Sequence, residues 1–368
     1  MRVLIASSAT GGHIYPALAV AEEIKRRDPA AEILFVGAKW EIGKDIVEAA
    51  GYRQVFIEAS GFDRKHLLNN IAVVASLAKT SGEIKKIMKG FSPDVCVGTG
   101  GHVSGPVIRV AAKSGVRTML MEQNVIPGMA NKLAEKYADR IFVGFEETAG
   151  YFKEPRKVVV SGNPVRAAFA ESAARRVELR EKYGVPEGAL CVLVFGGSQG
   201  ADAINDAGAS LIESLTGKEG VYIILITGRQ LYDPIRERLS AGLAADGGWY
   251  KVFDYSDVIY ELFAAADLVV SRAGALTVTE IAQSGKASIL VPSPNVTNNH
   301  QYYNGKALAD AGASILLAEE EIKDGGLASA VFGLKADPGK VSEMGRRAAA
   351  LTKPNAARVI VDEIFGSK

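Results

Sequence analysis

Cysteine is scarce: Cys96 and Cys191 are the only two in 368 residues, far apart and each inside an apolar run. That pattern predicts buried thiols in a reducing compartment rather than a disulfide. Histidine is scarce too, with four scattered copies, and neither CxxC nor HExxH occurs, so no bound metal is expected. No run of 18 apolar residues is present, which argues against a membrane-spanning helix. Met1-Arg2 leads straight into Val3-Leu4-Ile5-Ala6, too short for a signal-peptide core. The net charge is only +1, so the chain as a whole is not a nucleic-acid binder by charge. Two glycine signatures are missing as well. Without GxGxxG a dehydrogenase is disfavoured, and without GxxxxGKS/T so is a P-loop kinase.

What is present is ordinary globular composition, 48% hydrophobic and 23% charged, in a chain long enough for two domains. Charge is uneven: residues 1–163 carry 22 Lys and Arg against 17 Asp and Glu, the remainder 21 against 25. An anionic surface should therefore meet the N-terminal half. Short apolar runs alternate with helical patterns. Strands are expected at Val3–Ala6, Ile33–Val36, Asp94–Val97, Thr118–Met121, Ile141–Val143 and Val158–Val160. The pattern then restarts at Leu190–Phe195 and continues at Tyr222–Thr227, Lys251–Phe253, Leu268–Val270 and Ile289–Val291. Helices are expected from about Pro16 to Arg27, over the charged segment Glu171–Lys182, and from Val341 to Phe365 with a break at Pro354. This is an α/β pattern of two doubly wound Rossmann-like domains, facing across a cleft and meeting near Gly162-Asn163-Pro164.

Four strand-to-helix turns are glycine-rich: Thr10-Gly11-Gly12-His13, Gly98-Thr99-Gly100-Gly101-His102, Gly196-Gly197-Ser198-Gln199-Gly200, and Gly274. Glycine lets backbone amides approach a phosphate, and helix N-termini attract anions. The bland alternative is that these glycines only permit tight turns. Glu280, one helical turn beyond Leu276, offers a carboxylate suited to a ribose diol, or it is simply solvated. His13 at a helix start is a candidate base, since a helix N-terminus favours neutral imidazole, or it is a capping residue. His102 holds the analogous place in another turn, and His66 reads as a surface residue. His300 lies in the polar run Asn298 to Tyr303, whose amides suit sugar hydroxyls. The segment 61–90 has helical apolar spacing (Leu67, Ile71, Val74) and a local charge of +4 that includes Lys79, Lys85, Lys86 and Lys89. It reads either as a basic face for an anionic membrane or as a core-facing helix with solvated lysines.

Six ordered motifs carry a resemblance that runs nearly end to end. They are Thr10-Gly11-Gly12-His13 with Pro16; Gly100-Gly101-His102-Val103-Ser104-Gly105-Pro106; Glu122-Gln123-Asn124; Gly162-Asn163-Pro164-Val165-Arg166; Gly196-Gly197-Ser198-Gln199-Gly200; and Arg272-Ala273-Gly274-Ala275-Leu276-Thr277 with Glu280 and then Gln301-Tyr302. In these the chain resembles the bacterial glycosyltransferases that add N-acetylglucosamine to the lipid-linked muramyl-pentapeptide precursor of peptidoglycan. The resemblance implies the GT-B fold, with an acceptor- and membrane-binding domain at 1–163, a UDP-sugar domain at 164–340, and a C-terminal helix, 341–368, crossing back to the first domain. It implies inversion at the anomeric carbon, UDP-N-acetylglucosamine as a substrate rather than a cofactor, and no bound metal. It implies a polyprenyl-pyrophosphoryl-muramyl-pentapeptide acceptor, contact with anionic lipid, and a peripheral place on the cytoplasmic face of the plasma membrane.

By motif, the resemblance puts catalysis on His13, aided by Glu122. Donor contacts fall on Thr10, Gly11, Gly12, Asn124, Arg166, Ser198, Ser256, Ala275, Leu276, Thr277, Glu280 and Gln301. Acceptor contacts fall on His13, Gly100, Gly101, His102, Ser104 and Asn131. One departure stands out: Ser7-Ser8-Ala9 replaces glycines that many relatives carry before the first Thr-Gly-Gly, and the serine hydroxyls are expected to serve a phosphate there. Rival readings are a UDP-N-acetylglucosamine 2-epimerase, a non-enzymatic UDP-sugar sensor, and a glycolipid synthase acting on diacylglycerol.

Overall fold

Seven parallel strands make the first sheet: β1 (Arg2–Ala6), β2 (Glu32–Ala38), β3 (Arg53–Ile57), β4 (Val95–Gly98), β5 (Arg117–Glu122), β6 (Arg140–Val143) and β7 (Val158–Val160), in the order β3-β2-β1-β4-β5-β6-β7. Six more make the second: β8 (Leu190–Phe195), β9 (Val221–Ile226), β10 (Tyr250–Phe253), β11 (Leu268–Ser271), β12 (Ala287–Leu290) and β13 (Ser314–Leu316), in the order β10-β9-β8-β11-β12-β13. The computed structural model describes residues 1–8, 10–39, 44–59, 70–215, 220–242 and 248–366, with the side chains of 44, 70–78 and 242 outside the description. Two units result, residues 1–166 with 353–368, and residues 167–352. Two strands, β3 and β13, escape the sequence pattern. Both lie at sheet edges, where Arg53-Gln54 and a three-residue Ser-Ile-Leu run give no continuous apolar signal.

Both faces of each sheet are covered, which is why the strands read as unbroken apolar runs. In the first unit Val3, Ile5, Phe35, Val97 and Met121 face the Gly11–Arg27 helix, whose Ile14, Ala17, Leu18 and Ile24 are buried against them. Their alternates Leu4, Ala6, Val36, Cys96 and Leu120 face the Gly101–Lys113 helix through Val103, Val107 and Ile108. Cys96 and Cys191 are both free and buried, and burial pushes the Cys191 thiol up to about 12.

The expected C-terminal helix is divided. Pro338–Ala350 packs into the second unit, where Gly345 lies against the Gly285 carbonyl. Ala356–Phe365 joins the first, burying Ile360, Val361 and Ile364 beside the Gly11–Arg27 helix. Arg27 and Arg140 pair with Asp362 and Glu363 there, at 2.5 and 3.2 Å. The expected helix at 171–182 is two, Ala168–Ala173 and Arg176–Lys182. Arg176 and Arg180 grip the carbonyls at the end of the Ile259–Ala265 helix and the Asp267 carboxylate, cations capping a helix C-terminus.

Candidate active site

All four glycine turns follow the strands that border the topological switch of their sheet: β1 and β4 in the first, β8 and β11 in the second. Open parallel sheets bind ligands beyond the carboxyl ends of these strands. The topology therefore makes one candidate site in each unit.

In the first unit, β1 leads into the Gly11–Arg27 helix with Thr10 as its N-cap. The helix begins five residues before Pro16. A proline that deep removes one interior hydrogen bond, but here Pro16 is buried in the helix face, and its ring offsets the loss by packing. Pro106 holds the equivalent sixth position of the Gly101–Lys113 helix. No acidic residue occupies the first turn of either helix, so both N-termini keep their affinity for an anion. Gly100 and Gly101 have φ of 108° and 75°. The His13 ring packs over Gly100, and the Ser8 side chain lies where a Cβ on Gly101 would be. His13 Nδ1 is 3.3 Å from Gln123 Oε1. His13 and His102 are half-buried, while Gly12 and Thr10 are exposed.

Several of the expected site residues are buried and bonded within the protein. Ser104 is fully buried; its hydroxyl accepts from the Gly100 N–H at 2.8 Å and lies 2.9 Å from the Ala6 carbonyl. It ties the ends of β1 and β4 together at the two turns. Glu122 is buried, and its carboxylate accepts four bonds: from the Asn124 N–H (3.0 Å) and Nδ2 (3.2 Å), the Gly128 N–H (2.9 Å) and Asn131 Nδ2 (2.8 Å). A carboxylate has about four acceptor positions, so none is left for a substrate proton. Glu122 thus ties the 122–131 loop together, with buried Asn131 part of the same tie. Asn124 stays half-buried at the loop's edge. The serines also turn inward: Ser7 Oγ donates to the Ser8 carbonyl at 3.2 Å, and Ser8 Oγ is buried beside Gly101. Arg166 stacks on the Tyr15 ring at 4.7 Å. Burial raises the Glu22 carboxyl on the same helix, and Arg166 partly offsets that.

In the second unit, Gly197 has φ 104° and opens to empty space, Ser198 is exposed, and Gly200 and Gly228 press against Thr227 and Gln199 backbone. Only glycine allows two loops to touch that closely. Gly274 caps the Ala275–Gln283 helix, with Ala275 and Leu276 buried and Thr277 and Glu280 half-buried one turn apart. Ser256 is half-buried in the loop after β10. Gln301 Oε1 accepts from the Ser293 N–H at 2.8 Å, which fixes the orientation of its amide. His300 Nδ1 lies 2.8 Å from the Thr297 carbonyl. Asn298 and Asn299 are both left-handed, at φ 55° and 51°, a conformation asparagine tolerates and most residues do not. Arg272 is an ion-pair partner of Glu319 and also reaches the Val291 carbonyl.

Of the basic segment, Leu67 and His66 lie outside the described residues, and the side chains of Ile71 and Val74 lie outside the described side chains. Within the Asn70–Phe91 helix, Ile84 and Met88 are buried in the sheet's core while Lys85, Lys86 and Lys89 are exposed. Lys79 pairs with Glu58 at 2.5 Å. Among the described residues no helix is long and apolar enough to cross a membrane.

Gln123, inside the Glu122-Gln123-Asn124 motif, is a residue that the structure brings against His13 and that sequence reasoning did not single out. Nothing in the sequence shows which neighbour the amide meets.

Residues 3–143 match the glycosyltransferase family 28 N-terminal domain, and residues 191–360 match its C-terminal domain. A protein of Desulforudis audaxviator is 40% identical over 99% of this chain and 98% of its own length; it is named UDP-N-acetylglucosamine--N-acetylmuramyl-(pentapeptide) pyrophosphoryl-undecaprenol N-acetylglucosamine transferase. A protein of Acetivibrio thermocellus with the same name is 38% identical over 99% of this chain and 97% of its own. Among solved structures, Acinetobacter baumannii MurG superposes with a TM-score of 0.77 at 24% identity, over the whole of both chains. The UDP-GlcNAc 2-epimerase of Neisseria meningitidis, bound to UDP-GlcNAc, superposes at 0.70 with 13% identity, also over both whole chains. At those identities the structures speak to the fold, two doubly wound parallel sheets. The two domain matches and the full-length relatives place the chain in a family: it belongs to glycosyltransferase family 28.

Proposed function

We propose that this enzyme transfers N-acetylglucosamine from UDP-N-acetylglucosamine to the 4-hydroxyl of the muramyl sugar in undecaprenyl-pyrophosphoryl-muramyl-pentapeptide. The observation that carries the reading is its 38–40% identity, across nearly the whole chain, to enzymes named for that transfer. The second unit is assigned the donor. Its Gly196–Gly200 turn, open at Gly197, and the helix start at Gly274 suit the UDP phosphates, Glu280 the ribose diol, and Gln301 the sugar. As UDP departs, negative charge grows on the β-phosphate, and oriented N–H groups at the helix start take it up.

The first unit is assigned the acceptor and the base. The turns at 10–13 and 100–102 suit the acceptor's pyrophosphate. His13 accepts the proton of the 4-hydroxyl as that oxygen attacks the anomeric carbon; the bond to UDP breaks on the opposite side, which inverts the configuration. A lipid-linked acceptor calls for a peripheral site on the cytoplasmic membrane face, and the exposed Lys85, Lys86 and Lys89 supply the positive charge for anionic lipid.

The test is UDP release with and without a synthetic muramyl-pyrophosphoryl-lipid acceptor. Release that requires the acceptor is expected. Conversion of donor alone would instead mark an epimerase, and binding of UDP-sugar without release a sensor. His13→Ala should keep UDP affinity and lose about 10²–10⁴-fold in turnover.

A further inference from the structure

We infer that Gln123 is a positioning residue that selects the tautomer of His13. The inference rests on the reading of His13 as the base. Gln123 directly follows β5, which ends at Glu122, and is 1% exposed. Its Nε2 donates to the Thr99 carbonyl at 3.0 Å. A carbonyl can only accept, so this bond fixes which end of the amide is which. The other end, Oε1, faces His13 Nδ1 at 3.3 Å. Oε1 is likewise only an acceptor, so Nδ1 must carry the proton. The acceptor nitrogen of neutral His13 is then Nε2.

The rest of the setting is rigid. Asn163 Nδ2 holds the Gln123 carbonyl at 3.0 Å, and the His13 ring is pressed against Gly100, whose N–H is held by Ser104. An amide partner also differs from a carboxylate partner in kind: it orients the imidazole without adding a negative charge that would raise its affinity for a proton. Among the described residues, the ionisable groups on the elements around the ring can be named. Glu122 is saturated by its own loop, His102 follows Gly101, and Glu22 and Arg166 lie along the Gly11–Arg27 helix.

The test is imidazole ¹⁵N NMR on the full chain with labelled histidine, which has only four such residues, with His13 assigned by its loss in His13→Ala. Neutral His13 protonated at Nδ1 is expected, and protonation at Nε2 overturns the inference without recourse to any Gln123 variant. Gln123→Glu should raise the His13 pKa by about 1–3 units, because an opposite charge then faces the imidazolium, and should move the acid limb of the rate profile alkaline by the same amount. An unmoved pKa in a folded Gln123→Glu overturns the inference as well. Should His13→Ala keep its turnover while the Nδ1 proton is found, the base assignment fails and the tautomer assignment stands.

Discussion

The imidazole of His13 fills the space that a side chain on residue 100 would need. A Cβ on Gly100 would come within 2.6 Å of His13 Cε1 and 2.7 Å of Nδ1, and the φ of 108° is itself hostile to L side chains. Gly100→Ala must therefore push the ring away from Gln123. Turnover should fall by about 10²-fold or more, the lower end of losing a general base, while UDP affinity, assigned to the second unit, stays unchanged by calorimetry. Turnover within a few-fold of the parent would show that this contact does not place the base.

Glu122→Gln separates a scaffold from a base. The amide replaces one accepting oxygen by a donor, which then faces donors of Asn124, or of Gly128 and Asn131. The expected cost is about 1–3 kcal/mol of stability, the penalty for buried unmatched polar groups, read as a lower Tm. The shape of the pH–rate profile should not change; a vanished ionisation limb would return Glu122 to the role of base.

Glu23 gives a pH-dependent prediction. Bonds from Arg26 and Arg27 hold its carboxyl at about 2, against roughly 4.3 for an unperturbed glutamate. A depressed native pKa means stability that is present above the unfolded value and lost as pH falls through the folded one. Glu23→Gln should destabilise by about 1–2 kcal/mol at pH 7, and the difference should close between about pH 4 and pH 2. Denaturant midpoints across that range measure it. A constant difference would mean the packing of the side chain, and not its charge, is what matters.

Glu280→Ala tests the donor unit. Loss of a carboxylate from a ribose diol should weaken UDP binding by about 1–3 kcal/mol, the range for charged hydrogen bonds. Unchanged affinity by calorimetry removes Glu280 from the ribose.

The sequence pattern reaches the fold because these sheets are parallel and doubly covered: Val3–Ala6 or Leu190–Phe195 must be apolar on both faces, and that leaves an unbroken run. It misses β3 and β13, where an edge position lets Arg53-Gln54 and Ser314 interrupt or shorten the run, while β7 and β10, edges too, keep short runs that can be read. The glycine turns were legible for a related reason, since positive φ at Gly100, Gly197 and Gly200 narrows the choice of residue. Glu122 and Ser104 were not legible. A polar side chain in a motif reads the same whether it faces substrate or backbone, and only the burial and the bond partners of each decide between the two. The same ambiguity hides that Gln123 meets His13.

The exposed lysines of the Asn70–Phe91 helix carry the last prediction. Ile84 and Met88 spend the apolar side of this part of the helix on the core, so insertion into lipid is not available to it and only charge remains. Lys79 is engaged with Glu58, which leaves Lys85, Lys86 and Lys89 as the exposed cations of this stretch, each worth about 1 kcal/mol near an anionic surface. Such attraction is screened within roughly 10 Å at 0.1 M salt. Flotation on vesicles should accordingly need anionic lipid and decline as salt rises. Replacing the three lysines by glutamate should release the protein and leave UDP binding intact. If the triple variant floats as well as the parent, the lysines are only the solvated face of a core helix, and the membrane contact lies elsewhere on the chain.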